Sequence, residues 1–206
     1  MSLCRQFCPE KLPVKTGERL GEGADGEVFE IEGDTTKVIK LGILYERHDR
    51  GFLNYYRQIQ RVLDYLMHAH PTAYARVYEH GYLGTHSRKM PAWKSGTQNF
   101  IIYYYIMERL QKITEDERRI FHSILSHEDR GIEKNFSPEK VREMLEGMGR
   151  SLDFDAEKVR LFCDNIRGAS ISHLDIHVRN IMKNEAGDFK LIDLDRIELE
   201  KDNVQE

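Results

Sequence analysis

The segment His173–Asp195 constrains the fold of this chain more than any other, because it joins a polar loop to a predicted hairpin. In the second hairpin strand, Phe189–Leu194, Asp193 lies between two apolar residues and is therefore predicted to point away from them. We expect Asp175, Asn180 and Asp193 to converge on the side that the loop faces. Two carboxylates and one amide oxygen are hard ligands, which suit Mg²⁺ and proton acceptance better than they suit zinc.

The spacing within this segment resembles the catalytic loop of the protein-kinase-like superfamily. In protein kinases, His-Arg-Asp is followed by four variable residues and Asn, and a metal-binding Asp-Phe-Gly comes later. Here His173-Leu174-Asp175 is followed by four residues and then Asn180, and Asp193-Leu194-Asp195 stands in the place of Asp-Phe-Gly. A second histidine, His177, and the acidic final residue make the pattern more similar to the aminoglycoside and choline phosphotransferases.

The resemblance implies a role for each polar residue of the segment. Asp175 would accept the proton of the substrate hydroxyl, and Asn180 with Asp193 would hold Mg²⁺. His173 and His177 would brace the loop rather than take part in the chemistry. Without the resemblance, the same stretch would be a polar hairpin with solvated carboxylates.

A glycine-rich stretch lies near the start of the chain, with glycine at positions 21, 23 and 26 and then Val28. A Rossmann dinucleotide loop shares this pattern, but that loop opens a helix. Here apolar and acidic residues are interleaved from Glu27 to Glu32 and Gly33-Asp34 follows, which predicts a strand and a hairpin. A glycine hairpin can lay its backbone N–H groups on phosphates, because no side chain blocks the approach.

The return strand Lys37–Leu41 resembles the Val-Ala-Ile-Lys strand of protein kinases. The resemblance implies that Lys40 reaches the α- and β-phosphates of ATP and acts with Asp175 in catalysis. It also assigns ATP binding to residues of the glycine stretch, the strand lysine and a predicted hinge. These residues are Gly21, Glu22, Gly23, Ala24, Gly26, Val28, Lys40, Glu108 and Leu110.

Apolar residues at helical spacing predict a helix over Tyr45–Ala69 that packs on the hairpin sheet. A protein kinase has a glutamate in this helix that pairs with the strand lysine, but no glutamate lies between Arg50 and His70. Four other residues are candidates to orient the lysine, and we favour the first of them: Glu46, Asp64, Gln58 and Gln60.

The middle of the chain predicts two strands separated by a polar excursion. Arg76–Leu83 is the first strand, Gly84–Asn99 is a long hairpin turn, and the apolar run Phe100–Met107 is a buried central strand. By the resemblance, backbone groups of Glu108–Leu110 form the hinge that pairs with adenine. Three helices are predicted after the hinge, with start signals at Thr114 with Glu117, at Ser137-Pro138 and at Asp155.

This order of elements predicts an α+β chain with a two-lobed protein-kinase-like fold. The resemblance implies an antiparallel-sheet N-lobe with one main helix over residues 1–107, a hinge at 108–110 and a truncated, mainly helical C-lobe over 111–206. The residues after Asp195 are acidic and polar, so we expect no counterpart of the activation segment and later helices of protein kinases. Only the catalytic minimum of the family is expected.

Composition excludes several classes of partner. The net charge of −4 provides no bulk attraction to nucleic acid or to an anionic membrane. The sequence has no apolar run long enough to cross a bilayer and no secretory signal pattern. Its three cysteines are an odd and sparse set that indicates a reducing compartment. We therefore expect a cytoplasmic protein, or one secreted into a host cytosol if it is an effector.

The motifs leave two function hypotheses. The first is an ATP- and Mg²⁺-dependent kinase that transfers the γ-phosphate to a hydroxyl of a protein Ser/Thr or of a small molecule. The second is a pseudokinase or kinase-shaped effector that acts as a protein-binding module. The missing helix glutamate favours the second, and the intact Asp175, Asn180 and Asp193 favour the first. A Rossmann enzyme is not expected, because no alternating strand–helix repeat follows the glycine stretch.

Overall fold

A computed structural model of the protein describes residues 11–23, 26–46, 52–89, 97–125, 138–148, 152–169, 171–173 and 175–199. The chain divides into two compact units, Met1–His68 with Arg76–Arg109, and Ala69–Ala75 with Leu110–Glu206. The described residues form an α+β structure with a five-stranded antiparallel sheet and four α-helices, which confirms the predicted class. None of those helices is long and apolar enough to cross a membrane.

The described residues of the first unit form the five-stranded sheet, in the order β1-β2-β3-β5-β4, and one helix. The elements run β1 Thr16–Gly23, β2 Gly26–Ile31, β3 Asp34–Tyr45, α1 Phe52–Ala69, β4 Val77–Lys89 and β5 Thr97–Glu108. Every neighbouring pair of strands is antiparallel. The glycine stretch is therefore a β-hairpin and not the start of a helix, as its alternating pattern predicted.

The two faces of this sheet bury different groups. Strand β5 lies between two neighbours, and all of Phe100–Met107 is buried, which confirms the predicted central strand. One face carries an apolar cluster, made of Phe29, Ile31, Ile39, Leu41, Leu83, Phe100, Ile102, Tyr104 and Ile106. On the other face, the ring of Tyr56 in α1 lies 5.7 Å from that of Tyr103, so the helix packs there.

Helix α1 begins later than predicted. The prediction started at Tyr45, but Ile43, Leu44 and Tyr45 are strand residues that pair with β5. The apolar residues Ile43, Leu44 and Tyr45 are half-buried strand residues, and the sequence gives no local signal that separates them from the helix. Residues 47–51 lie outside the described part. From Phe52 onward the prediction holds, because the buried residues recur three and four positions apart at Tyr56, Ile59, Leu63 and Leu66.

The polar excursion predicted at Gly84–Asn99 is wrong at both ends, where strands β4 and β5 continue. Residues 90–96 lie outside the described part. Polar side chains face each other across this extension: Ser87 Oγ donates to Asn99 Oδ1 at 2.7 Å, and Arg88 donates to Gln98 Oε1 at 3.0 Å. A search for alternating apolar residues misses such strands, because contacts between polar side chains, and not between apolar ones, stabilise this part of the ladder.

In the part that the structure describes, the second unit combines three helices with short strands. The elements are β6 Gln111–Lys112, α2 Glu115–Leu125, α3 Pro138–Met148, α4 Ala156–Arg167, β7 Ile171–His173, β8 Ile181–Lys183, β9 Phe189–Leu191 and β10 Ile197–Leu199. Strands β6, β8 and β9 form one antiparallel sheet, and β7 pairs with β10. Two 3₁₀ turns, Val178–Asn180 and Leu194–Arg196, lie beside these strands.

The helix starts of the second unit follow the predicted capping signals. Thr114 and Glu117 form a reciprocal capping box, in which the Glu117 N–H donates to Thr114 Oγ1 at 3.2 Å and the Thr114 N–H donates to Glu117 Oε2 at 2.6 Å. Pro138 is the first residue of α3. Asp155 caps α4 by accepting the Lys158 N–H at 3.1 Å, and Gly168 ends that helix.

The segment Ala69–Ala75 groups with the second unit, although the predicted domain boundary placed it in the first. The Ala75 N–H donates to Leu191 O at 2.9 Å, and the Leu191 N–H donates to Ala73 O at 2.7 Å. These bonds fix β9 on a stretch of chain more than a hundred residues earlier. The segment therefore positions the strand that leads to Asp193. The predicted domain bounds themselves stay a prediction.

Candidate functional site

The glycine hairpin pairs Gly21 with Val28, Glu22 with Glu27 and Gly23 with Gly26. Ala24, which the prediction assigned to ATP binding, lies outside the described residues. Gly26 has φ +154°, and a Cβ on it would lie 2.1 Å from the carbonyl oxygen of Leu41. The fold itself therefore requires glycine at position 26, because β2 and β3 approach too closely for a side chain.

The fold makes no such demand at Gly21 and Gly23. A Cβ on Gly21 would meet no atom within 4 Å, and one on Gly23 would meet only Gly26 O at 4.0 Å. Neither residue has the positive φ that favours glycine. Glycine inside a strand is costly in conformational entropy, and it often marks a place where a ligand approaches the backbone. These two glycines leave the hairpin backbone open for such a ligand.

Lys40 lies in the middle of β3, opposite Val28 of the hairpin and Tyr105 of β5. Its side chain is on the sheet face that carries α1, because Tyr103 and Tyr105 share that face. The residue is only 6% exposed, and its Nζ lies 5.6 Å from the centre of the Tyr105 ring. A buried ammonium group is costly unless it has partners, so this lysine is not an ordinary exposed charge.

The prediction that Glu46 orients Lys40 is wrong. Glu46 comes directly after β3, six residues beyond Lys40, which is roughly 20 Å along an extended strand. Its carboxylate instead accepts the side-chain amide of Asn99 at 2.7 Å. Asp64 of α1, another candidate, lies 2.9 Å from Nε2 of His80. The error follows from the wrong start of α1, because a residue placed at the beginning of a helix lies instead at the end of a strand.

Glu27 and Arg19 were missed as members of the hairpin site. Glu27 is 6% exposed, and Arg19 Nη1 donates to its Oε1 at 3.1 Å and to Glu22 Oε2 at 2.6 Å. The hydrogen bond to Glu27 raises the pKa of Arg19. Glu27 shares the face of Leu41 and not that of Lys40, so this contact ties β1 to β2 from the opposite side. The signal in the sequence was an acidic residue at an inward position of an alternating strand.

The predicted hinge already uses two of its backbone donors. The Glu108 N–H donates to Arg76 O at 3.0 Å, and the Arg109 N–H donates to Thr36 O at 2.8 Å. Arg109 also pairs with Glu30 at 2.7 Å. If adenine binds here, its partners must come from the remaining groups of 108–110. Adenine binding by Glu108 and Leu110 stays a prediction.

In the second unit, Asn180 joins the two predicted catalytic segments. Its side-chain Nδ2 donates to the backbone oxygen of Asp175 at 3.0 Å, and its own backbone oxygen accepts the Ile192 N–H at 2.9 Å. Ile192 is the residue before Asp193. Asn180 is 7% exposed, so it is held inside the unit. Because Nδ2 is used for this bond, Oδ1 is the atom that remains to bind a cation.

Asp193 was predicted to lie in a strand. That prediction is wrong, because β9 ends at Leu191. It has φ +65° and ψ +51°, the left-handed conformation, and it begins the turn Leu194–Arg196 without capping it through its side chain. Among the described residues, only His70 shares a positive φ without being glycine. Such a conformation costs free energy and is concentrated at functional sites. Because Asp193 lies outside β9, alternation along a strand does not set the direction of its side chain.

The two histidines of the loop differ in how far they can be described. His173 ends β7, where its backbone pairs with Ile197, and Leu174 lies outside the described residues. His177 accepts the Arg179 N–H on Nδ1 at 3.2 Å, which leaves Nε2 to carry the proton of the neutral ring. That Nε2 lies 3.7 Å from Asp175 Oδ2. His177 thus braces the loop, and it also lies beside the predicted catalytic carboxylate.

The donor atoms fit Mg²⁺ better than a metal held by protein alone. Within the described ranges, no group of three or more His, Cys, Asp or Glu side chains could hold a metal ion. Mg²⁺ in nucleotide sites keeps several waters and binds through one or two protein ligands together with phosphate oxygens. The amide oxygen of Asn180 and the carboxylate of Asp193 supply ligands of that kind.

Comparisons with known proteins add no further assignment. No protein-family model matches this chain, and a search of curated proteins finds no match.

Proposed function

We propose that the protein is an ATP- and Mg²⁺-dependent kinase with a protein-kinase-like fold. It transfers the γ-phosphate to a hydroxyl of a protein Ser/Thr or of a small molecule. The observation that carries this proposal is the hydrogen-bonded set around Asn180, which links Asp175 on one side to Ile192 and Asp193 on the other. Asn180 is thereby bonded to the backbone of Asp175 and to that of Ile192, the residue before Asp193.

The first unit supports the proposal through the placement of Lys40 and of two glycines. Lys40 is buried on β3, and Gly21 and Gly23 stand where larger residues would fit. Both observations have the same explanation if the phosphates of ATP approach the hairpin backbone and the ammonium group. The order of elements, with a glycine hairpin, a lysine strand, a helix and then two strands leading to a hinge, is the order that the resemblance implies.

In this mechanism the protein mainly positions and neutralises charge. Lys40 neutralises the α- and β-phosphates, and the backbone of Gly21 and Gly23 covers them. Asn180 and Asp193 would hold Mg²⁺, which would supply charge neutralisation at the phosphates when bound. Asp175 orients the acceptor hydroxyl and takes its proton as the oxygen attacks the γ-phosphorus. ADP leaves, and the proton passes from Asp175 to solvent.

The test compares glycine variants whose structural cost differs. Gly21→Ala and Gly23→Ala add a methyl group into open space, so we expect them to fold and melt like the natural chain. If phosphates approach this backbone, both variants lose affinity for Mg·ATP, measured by thermal shift and by transfer from labelled ATP. Unchanged ATP affinity in the double variant contradicts phosphate binding at the hairpin. No response of the natural chain to Mg·ATP contradicts the kinase proposal as a whole.

The protein-binding alternative rests on the orientation of Lys40. The sequence has no glutamate in α1, and Glu46 is too far away to replace it. A binding module would keep its partner and its cellular effect after Asp193→Asn, whereas a kinase would lose the effect. Comparing the natural chain with this variant in cells therefore separates the two functions.

A further inference from the structure

Tyrosine rings of β5 cover the part of β3 that carries Lys40. Tyr105 is directly opposite Lys40 in the ladder, so both side chains lie on the face that carries α1. The Nζ of Lys40 lies over the Tyr105 ring, 5.6 Å from its centre. Two residues further along β3, the ring of Tyr103 occupies the place that a Cβ on Gly42 would take. The rings of β5 therefore lean across onto β3, and one of them meets the lysine.

The contact between Lys40 and Tyr105 is almost completely removed from water. Tyr105 is 0% exposed and Lys40 is 6% exposed. The face of an aromatic ring attracts a cation within about 6 Å of its centre, and the attraction is stronger when the groups are desolvated. Burial also fixes the ring, because β5 is paired on both sides. A fixed ring of this kind stabilises the ammonium group and gives it a defined place.

The carboxylate of α1 on this face belongs to a different strand. His80 of β4 is directly opposite Tyr105, so Lys40, Tyr105 and His80 form one row across three strands. Asp64 of α1 contacts His80 Nε2 at 2.9 Å, at the far end of this row. Strands are about 4.8 Å apart, so that end lies roughly 10 Å from the backbone of Lys40. Tyr105 is the member of the row that lies beside the lysine.

We propose that Tyr105 is the positioning residue of Lys40, and that the face of its ring holds the ammonium group in place. The contact has the role that the kinase resemblance gives to a helix glutamate, a residue type that α1 does not contain. Its effect on the use of ATP rests on the proposed kinase function, whereas the contact itself does not.

The expected size of the effect follows from the strength of such contacts. A lysine held over an aromatic ring gains a factor of about 3 to 30 in the population of the held conformer, and the upper end applies to desolvated pairs. Losing the ring lowers the population of the productive conformer by up to the same factor. We therefore expect kcat/KM for Mg·ATP to fall about 3- to 30-fold when the ring is removed.

The experiment compares Tyr105→Phe, which keeps the ring, with Tyr105→Leu, which removes it. Tyr104→Leu is the matched control, because Tyr104 is the neighbouring buried tyrosine of β5 and belongs to the apolar cluster on the opposite face. Asp64→Asn tests whether the helix carboxylate orients the lysine instead. The variants are compared at a temperature well below the lowest of their melting temperatures.

Two measurements are made on each variant. Without nucleotide, NMR of chains grown with isotope-labelled lysine gives the chemical shift of the Lys40 ε-CH₂ protons, and the variant Lys40→Arg identifies that signal by its loss. Protons over the face of an aromatic ring are shifted upfield by the ring current, so this shift reports the contact itself. ADP release from Mg·ATP then gives kcat and KM.

We expect the Lys40 signal of the natural chain to lie upfield of the signals of exposed lysines. It should keep that position in Tyr105→Phe, Tyr104→Leu and Asp64→Asn, and it should move downfield in Tyr105→Leu. Only Tyr105→Leu should lose kcat/KM, and Tyr105→Phe should retain it. If Tyr105→Leu does not fold, a fluorinated phenylalanine at position 105 keeps the shape of the ring and weakens the negative charge on its face. That replacement should lower kcat/KM relative to Tyr105→Phe.

Three results overturn the inference. A Lys40 signal of the natural chain at the position of exposed lysines means that the ring does not hold the lysine. An unchanged kcat/KM in Tyr105→Leu means that the contact does not position the lysine for ATP. A moved Lys40 signal in Asp64→Asn, with kcat/KM lowered as much as in Tyr105→Leu, assigns the role to the carboxylate. If the natural chain does not turn over Mg·ATP, the kinase proposal fails, and the NMR shifts alone still decide whether Tyr105 holds Lys40.

Discussion

Replacing Asp193 separates the contribution of its carboxylate from that of its backbone. Asp193 is held at φ +65° and ψ +51°, a conformation that costs an ordinary L-residue roughly 1–2 kcal/mol and that Asn and Asp tolerate better. Asp193→Asn removes the charge and keeps that tolerance. Asp193→Ala removes both. Asp193→Gly removes the charge and relieves the strain, but it adds about 0.5–1 kcal/mol of backbone entropy to the cost of folding.

These terms predict an order of stability without ligand. We expect the natural chain, Asp193→Asn and Asp193→Gly to unfold at similar temperatures. Asp193→Ala should be about 1 kcal/mol less stable, which corresponds to a melting temperature roughly 2–4 °C lower for a chain of this size. Glu185→Gln is the control for loss of a charge, because Glu185 is exposed in the turn before β9.

The carboxylate has a different signature, which appears only with Mg·ATP. A ligand at 100 times its dissociation constant stabilises the folded state by about 2.7 kcal/mol, or roughly 5–11 °C here. If Asp193 holds Mg²⁺, all three Asp193 variants lose this Mg²⁺-dependent shift while Glu185→Gln keeps it. Thermal unfolding with ATP, with and without Mg²⁺, measures both effects in one series.

Two outcomes refute the reasoning. A full Mg·ATP shift in Asp193→Asn means that the carboxylate is not needed for binding the metal. Equal stability of Asp193→Ala and Asp193→Asn without ligand means that the left-handed backbone imposes no cost at this residue.

Four further predictions concern stability and its dependence on pH. Gly26→Ala should destabilise the protein by at least about 2 kcal/mol in urea unfolding, because its methyl group would collide with Leu41 O, while Gly21→Ala in the same assay should be neutral. Lys183→Met should lower the free energy of unfolding by about 3 kcal/mol in the same assay, because it leaves the buried carboxylate of Glu117 without the ammonium group 3.1 Å away. A variant as stable as the natural chain would show that this ion pair contributes nothing. Tyr56→Phe should leave stability unchanged or raise it by up to about 1–3 kcal/mol, because the buried Tyr56 hydroxyl has no hydrogen-bond partner in the described part of the chain. A destabilised variant would indicate that the hydroxyl has a hydrogen-bond partner. The side-chain hydroxyl and backbone N–H of Thr36 lower the pKa of Asp34 to about 2. The contribution of Asp34 to stability is therefore complete above its ordinary pKa and is lost as the pH falls towards 2. Asp34→Asn should flatten that part of the stability–pH curve, and an unchanged slope would contradict the assignment.

Features that depend on neighbouring residues were predictable from the sequence. The hairpin at Gly26 follows from alternation over a few positions, and the capping box at Thr114 and Glu117 uses residues three apart. The spacing between Asp175 and Asn180 is likewise local, and the structure joins the two by a hydrogen bond. In each case the interaction closes over a short loop, so its geometry is limited by the backbone alone.

Features that depend on distant pairing were not predictable. Tyr45 belongs to a strand because β5 lies beside it, and this pairing moved Glu46 out of reach of Lys40. The polar ends of β4 and β5 form a ladder only because their side chains match across it. A pattern of single residues cannot express such matches, since each position is decided by the residue opposite it on the neighbouring strand.

The candidate site shows the same division. Residue types and spacing, together with the resemblance to protein kinases, selected Lys40, Asp175, Asn180 and Asp193 from the sequence. Tertiary structure decided which glycines the fold itself requires, that Asp193 has a left-handed backbone conformation, and that Asp195 is buried. The reason is physical: burial, close backbone approach and strained backbone conformations are set by packing between elements, and packing has no local periodicity to read.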